Sequence, residues 1–144
     1  MKKVVFAILV IFIGISCSNN DDRPNNNPFL IDPPVNAVLN LSLPEYNPLR
    51  FAGNSVVIDN GINGIVVYCV NETLYTAFEL SDPNHELRNC SRMTVDGVIA
   101  SCPCSDDDNE YFITSGQHTT EPDVKYPMQP YRVERNGNVI TVSN

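Results

Sequence analysis

The chain has 144 residues and a mass of 16.0 kDa, enough for one domain and short for two. Its 9 basic and 17 acidic residues leave a net charge of −8, and so acidic a surface repels phosphate backbones, which argues against nucleic acid as a partner. A hydrophobic fraction of 42% and a charged fraction of 18% are ordinary for a folded domain and argue against disorder over the whole length.

Lys2 and Lys3 open the chain, and an apolar run of 12 residues follows from Val4 to Ile15. The run is too short to cross a bilayer as a helix and suits the apolar region of a signal peptide. It ends in Gly14-Ile15-Ser16-Cys17, a small residue directly before a cysteine. This segment resembles the lipobox of bacterial lipoproteins, with Gly14 where a leucine-like residue is usual. The resemblance implies cleavage after residue 16 and lipidation of Cys17. Two or three acyl chains, at ~0.8 kcal/mol per buried methylene, would make the attachment effectively permanent. With both lysines removed, the net charge moves from −8 to −10, which disfavours lying flat on an anionic leaflet. Residues 17–34 are rich in Asn, Asp and Pro and read as a flexible tether. Asp21-Asp22 resembles the export signal of Bacteroidetes-type surface lipoproteins. The expected location is the outer membrane, facing either the periplasm or the surface.

From residue 35 to 144 the pattern is that of strands. A β-leaning apolar stretch runs from Val35 to Leu43, and Asn47-Pro48 marks a turn. Ser55–Ile58 is a short strand, and Gly64–Val70 is the strongest in the chain. Asn71-Glu72 turns the latter into Leu74–Phe78, a hairpin. Asp96-Gly97 sits between Met93–Val95 and Val98–Ala100, a second hairpin signal. Glu110–Ile113 is a further strand, and Asn136-Gly137-Asn138 joins Tyr131–Glu134 to Val139–Val142. No window has helical spacing. Short strands at regular intervals predict an all-β antiparallel sandwich or barrel.

Chemistry-bearing motifs are few. Neither a nucleophile elbow nor a zinc-protease helix is present, and Asp82, Glu86 and Asp96 form no recognisable acid/base pair. His85, Cys90, Cys102 and Cys104 could be drawn as a zinc site. The one-residue spacer between the last two and an oxidising compartment both count against it. The acidic run from Asp106 to Glu110 lacks the glycine and distant glutamate of a calcium loop and reads as solvated. No metal site is therefore expected. Cys69 shares a strand face with Ile65 and Val67 and is expected to act as a small hydrophobe. A Cys69–Cys102 bond stays open, since connectivity cannot be read from sequence.

Taken together, residues 64–144 carry an ordered series: a hairpin, Asp82-Pro83-Asn84-His85, Cys90, Cys102-Pro103-Cys104-Ser105, an aromatic strand, Thr114-Ser115-Gly116, Tyr131-Arg132-Val133 and Gly137–Val142. This series resembles the Rieske iron–sulfur domain. The resemblance implies a Rieske-like antiparallel β-sandwich or barrel with two loops joined by a disulfide. Such a domain holds a [2Fe–2S] cluster with two thiolates on one iron and two imidazoles on the other. The matching positions are Asp82, Asn84, Cys102 and Ser105, so only Cys102 keeps a ligand. A one-residue slide brings in His85 but puts Pro83 in the cysteine position. Asp82 is a hard ligand where iron–sulfide chemistry favours thiolate. The loop-clamping cysteines of the family's high-potential members match Cys90 and Cys104, a loop of 15 residues counted inclusively, worth ~3 kcal/mol by chain entropy. The implied protein is a membrane-anchored, cluster-free module, not an enzyme, that binds an envelope protein or a small ligand or serves a structural role. The alternatives are a [2Fe–2S] electron-transfer protein and a small-molecule pocket where the cluster would sit.

Overall fold

The computed structural model describes residues 27–144, so the expected signal peptide and the expected lipidation site at Cys17 lie outside the described residues. Among those described, nine strands form three antiparallel sheets of three strands each. The first sheet has the order β1 (Asn36–Asn40), β9 (Val139–Ser143), β8 (Arg132–Asn136). The second is β2 (Ser55–Ile58), β3 (Ile65–Cys69), β4 (Tyr75–Glu79). The third is β5 (Thr94–Asp96), β6 (Ile99–Ser101), β7 (Glu110–Phe112). The expected all-β antiparallel fold is therefore what the chain adopts. Asn47-Pro48 does more than turn the chain: it starts a short 3-10 helix, Asn47–Arg50, whose Leu49 is fully buried. A proline in the first helical turn costs nothing there, because its missing N–H would be unpaired in any case.

Strand β3 is buried along its whole length, and its two faces serve two different cores. Ile65, Val67 and Cys69 pack with Leu39, Tyr75, Ala77 and Ile140 of the first core. Val66 and Tyr68 pack with Phe78, Met93, Tyr111 and Ile113 of the second. The uninterrupted apolar run in the sequence is the mark of a strand covered on both sides. Two hairpins have two-residue loops, Gly97-Val98 and Gly137-Asn138. In each the glycine comes first, at φ +58° and +60°, the arrangement of a type II′ turn.

Where β4 ends, Glu79 is fully buried and ties three segments together. Its carboxylate oxygens accept hydrogen bonds from the Ile62, Asn63 and Ser81 amides and from the Ser81 and Tyr131 hydroxyls. Gly61, at φ +77°, passes so close that a Cβ would collide with that carboxylate. Burial and the neighbouring Glu79 carboxylate push the Tyr131 phenol well above its ordinary range.

Residues 27–34, the end of the segment read as tether, lie against the domain. Asn27 Nδ2 donates to the Pro83 carbonyl, Phe29 meets Tyr126 edge-on, and Asp32 accepts from Gln129 and Asn144. Among the described residues no helix is long and apolar enough to cross a membrane.

Candidate functional site

Two loops meet beside the third sheet. The first connects β4 to β5 and the second connects β6 to β7. The first starts as an extension of the β4 pairing, with the Asp82 amide donating to the Ser91 carbonyl and Met93 to Leu80. The second is pinched by the Cys102 amide donating to the Asn109 carbonyl. A disulfide between Cys90 and Cys104, with Cα atoms 5.1 Å apart, joins the loops as the sequence resemblance implied. Outside it, exposed Arg88 and Asp106 pair at 2.8 Å, and the guanidinium holds the Asp106 carboxyl below its ordinary range.

Between the loops, four side chains converge. Ligand atoms of Asp82, His85, Cys102 and Asp107 all lie within 4.8 Å of one another. His85 Nε2 is the hub: Cys102 Sγ is 3.3 Å away, Asp82 Oδ2 3.5 Å and Asp107 Oδ2 3.6 Å. The Asp82 side chain is fully buried and that of Asp107 is 14% exposed. Removal from water is the main reason the Cys102 thiol is pushed up to about 12; the Asp82 and Asp107 carboxylates add to the rise, while a backbone amide at Cys104 opposes it.

A shell of hydrogen bonds orients this group. Asp82 Oδ1 accepts from the Asn84 amide at 2.8 Å and from the Tyr111 hydroxyl at 3.0 Å, and Oδ2 accepts from Asn109 Nδ2 at 3.1 Å. Burial first, then the Asp82 carboxylate, raise the Tyr111 phenol far above its ordinary range. His118 Nδ1 accepts from the Glu121 amide at 3.0 Å. Its proton is therefore on Nε2, which donates to Asn109 Oδ1 at 3.2 Å and fixes that amide's orientation toward Asp82. His85 Nδ1 lies 2.7 Å from the Glu86 carbonyl, which can only accept, so this nitrogen carries the proton.

Of the positions matched to cluster ligands, Asp82 and Cys102 do come together. Asn84 instead donates to Tyr111 and Tyr126 and accepts from the Tyr126 amide, and Ser105 is exposed. Cys69 and Cys102 are both free and buried in different cores, so no Cys69–Cys102 bond forms. The acidic run is not solvated throughout, because Asp107 turns inward to His85. Sequence reading placed Asp107 and Asn109 in a solvated acidic run and left His118 unassigned. The signal available was His85 three residues after Asp82, close enough for one turn to present both.

A Rieske cluster requires two thiolates and two imidazoles. Among the described residues, the loop pair offers one of each, since Cys90 and Cys104 are consumed by the disulfide and His118 faces Asn109. A two-iron core also has to stand between its ligand pairs, whereas these four donors have closed on one another. The residues present do not fit that cofactor.

No protein-family model matches the chain, and no curated protein matches it in sequence. Among solved structures, it is similar to the ferredoxin of carbazole 1,9a-dioxygenase from Nocardioides aromaticivorans IC177 at 18% identity and a TM-score of 0.47, over 77% of this chain and 97% of that one. It is also similar to a Sphingomonas yanoikuyae B1 ferredoxin, at 17% identity and a TM-score of 0.43, over 65% of this chain and 88% of that one. A third is the E. coli protein NirD, at 11% identity and a TM-score of 0.40, over 65% and 86%. At such distances the chemistry of the site has to come from this chain's own residues.

Proposed function

We propose that the chain is a lipid-anchored protein of the cell envelope whose Rieske-like domain works without a [2Fe–2S] cluster, as a binding or structural module. The observation that carries this reading is the donor set at the loop tip. One thiol, one imidazole and two carboxylates stand where the resemblance would require two thiolates and two imidazoles. Asp82 is further committed to three hydrogen-bond donors of its own. With no electron carrier assigned, what the domain offers is a rigid pair of cross-linked loops on a β scaffold.

The test is the colour and iron content of the full chain, produced in iron-replete cells and purified without reductant. The expected product is colourless and contains no acid-labile sulfide. About two iron and two sulfide per chain, with visible absorbance, would instead make it an electron-transfer protein of the neighbours' kind.

A further inference from the structure

The arrangement around His85 gathers metal-ligating atoms. Three acceptors face its Nε2: Cys102 Sγ, Asp82 Oδ2 and Asp107 Oδ2. The contact from Nδ1 to the Glu86 carbonyl fixes the ring with Nε2 turned toward all three. Four potential ligand atoms thus lie within 4.8 Å of one another, and none of the four residues is exposed. Such a set is satisfied by a cation.

The spacing on the His85 side of the group matches a small tetrahedral ion. Ligands about 2.0–2.3 Å from a tetrahedral centre stand about 3.3–3.8 Å apart. The separations from His85 Nε2 are 3.3, 3.5 and 3.6 Å. The surroundings are those of a built site. A metal-bound imidazole donates its second N–H to a carbonyl or carboxylate, and metal-bound carboxylates are themselves hydrogen-bonded. Here His85 is held by Glu86, Asp82 by Tyr111 and Asn109, and Asp107 Oδ1 by the Asn109 amide at 2.8 Å.

We propose that Asp82, His85, Cys102 and Asp107 form a mononuclear site for a divalent zinc-class ion, a site distinct in nuclearity and ligands from a Rieske centre. The mixed sulfur, nitrogen and oxygen set suits zinc and is too soft for calcium or magnesium. All four positions are filled by protein, so the ion is structural rather than catalytic. On binding, the Cys102 thiol releases its proton to solvent as the sulfur–metal bond forms. The ion then ties the first loop, through Asp82 and His85, to the second, through Cys102 and Asp107. This inference rests on the cluster-free reading above.

The test uses the full chain under non-reducing conditions, so that Cys90 and Cys104 stay cross-linked and add no thiolates. Metal analysis after purification in chelator-free buffer is expected to find about one zinc per chain. After removal of metal, Co²⁺ alone is titrated. The expected result is saturation at one equivalent, with the visible bands of a tetrahedral ion and a thiolate-to-cobalt charge-transfer band. Cys102→Ser should abolish the charge-transfer band and His85→Ala should abolish binding. Tyr111→Phe, which leaves the four ligands in place but frees Asp82, should weaken affinity about 10–100-fold. Asp107→Asn, on the more exposed side of the site, provides a substitution the fold tolerates and should also weaken binding, whereas Asp106→Asn should not. A folded, metal-free chain that shows no cobalt bands would overturn the site while leaving the cluster-free reading intact. Two iron with acid-labile sulfide would overturn both.

Discussion

Replacing both Cys90 and Cys104 with serine tests how the two loops are held. The disulfide closes 15 residues, from 90 to 104, and the chain-entropy relation assigns about 3 kcal/mol to a loop of that length. Both sulfurs lie in or against the second core, so the substitution also places two hydroxyls next to apolar neighbours, and a loss of about 2–4 kcal/mol is expected. The double variant avoids the stray thiol a single one would leave. Urea unfolding should show a lower midpoint, with a slope at least as steep as the parent's because the unfolded chain loses a cross-link and exposes more surface, and the melting temperature should fall by roughly 10 °C. Hydrogen exchange should localise the effect. Amides of residues 82–92 and 102–109 should exchange faster. Those of β3, β4, β8 and β9 should keep their protection relative to the global stability, because their ladders make no use of the clamp. A variant within about 0.5 kcal/mol of the parent, an ordinary surface-substitution effect, would refute the view that the covalent tie orders the loops.

Glu79→Gln should destabilise the domain by about 2–4 kcal/mol, measured by denaturant unfolding, because an amide nitrogen would face donors that now meet a carboxylate oxygen. Stability should fall as pH rises above about 10, the ordinary tyrosine value. Tyr111 and Tyr131 have raised folded-state values, so both states are protonated below that pH, while above it the unfolded chain releases protons that the native one retains. The loss is at most about 1.4 kcal/mol per pH unit for each of the two, and Tyr131→Phe should make the alkaline slope shallower in stability measurements across pH. Cys17→Ser should release the protein from the membrane fraction, and unchanged fractionation would remove lipidation at that residue as the anchor.

The strands were legible because their residues obey one period each. The run Gly64–Val70 has no polar interruption, and β3 proves to be covered on both faces. In β9 the alternation of half-buried Val139, Thr141 and Ser143 with buried Ile140 and Val142 is equally plain. The 3-10 helix was not legible, since four residues opening Asn-Pro look like any turn. The site was only partly legible, for a different reason. Its ligands come from loops, where no periodicity dictates which side chain turns inward. Asp107 sits in a run of three aspartates whose chemistry is identical, and only folding decides that Asp106 pairs with Arg88 while Asp107 turns to His85. The resemblance found Asp82, Cys102 and the Cys90–Cys104 bond, because those depend on where the chain enters and leaves each loop. It pointed to Asn84 instead of His85, a one-residue difference within a tight turn.

The disulfide and the proposed ion act on the same two loops, so their effects should be coupled. Without the disulfide, bringing His85 to Cys102 closes a loop of 18 residues. With it, the shortest path runs from 85 to 90, through the bridge, and from 104 to 102, which is nine residues. Loop-closure entropy changes by about 0.6 kcal/mol for each doubling of length. An ion binding to the serine double variant must supply that ordering itself, so its dissociation constant for Co²⁺ should rise about threefold. Linkage requires the reciprocal effect: the disulfide's contribution to stability should be about 0.6 kcal/mol larger in saturating ion than after its removal. Both quantities come from one set of titrations and urea curves on parent and variant, with and without Co²⁺. Equal affinities in the two proteins would mean that the β4 and β6 ends already place the ligands, and that the clamp serves the loops' outer rim instead of the centre between them.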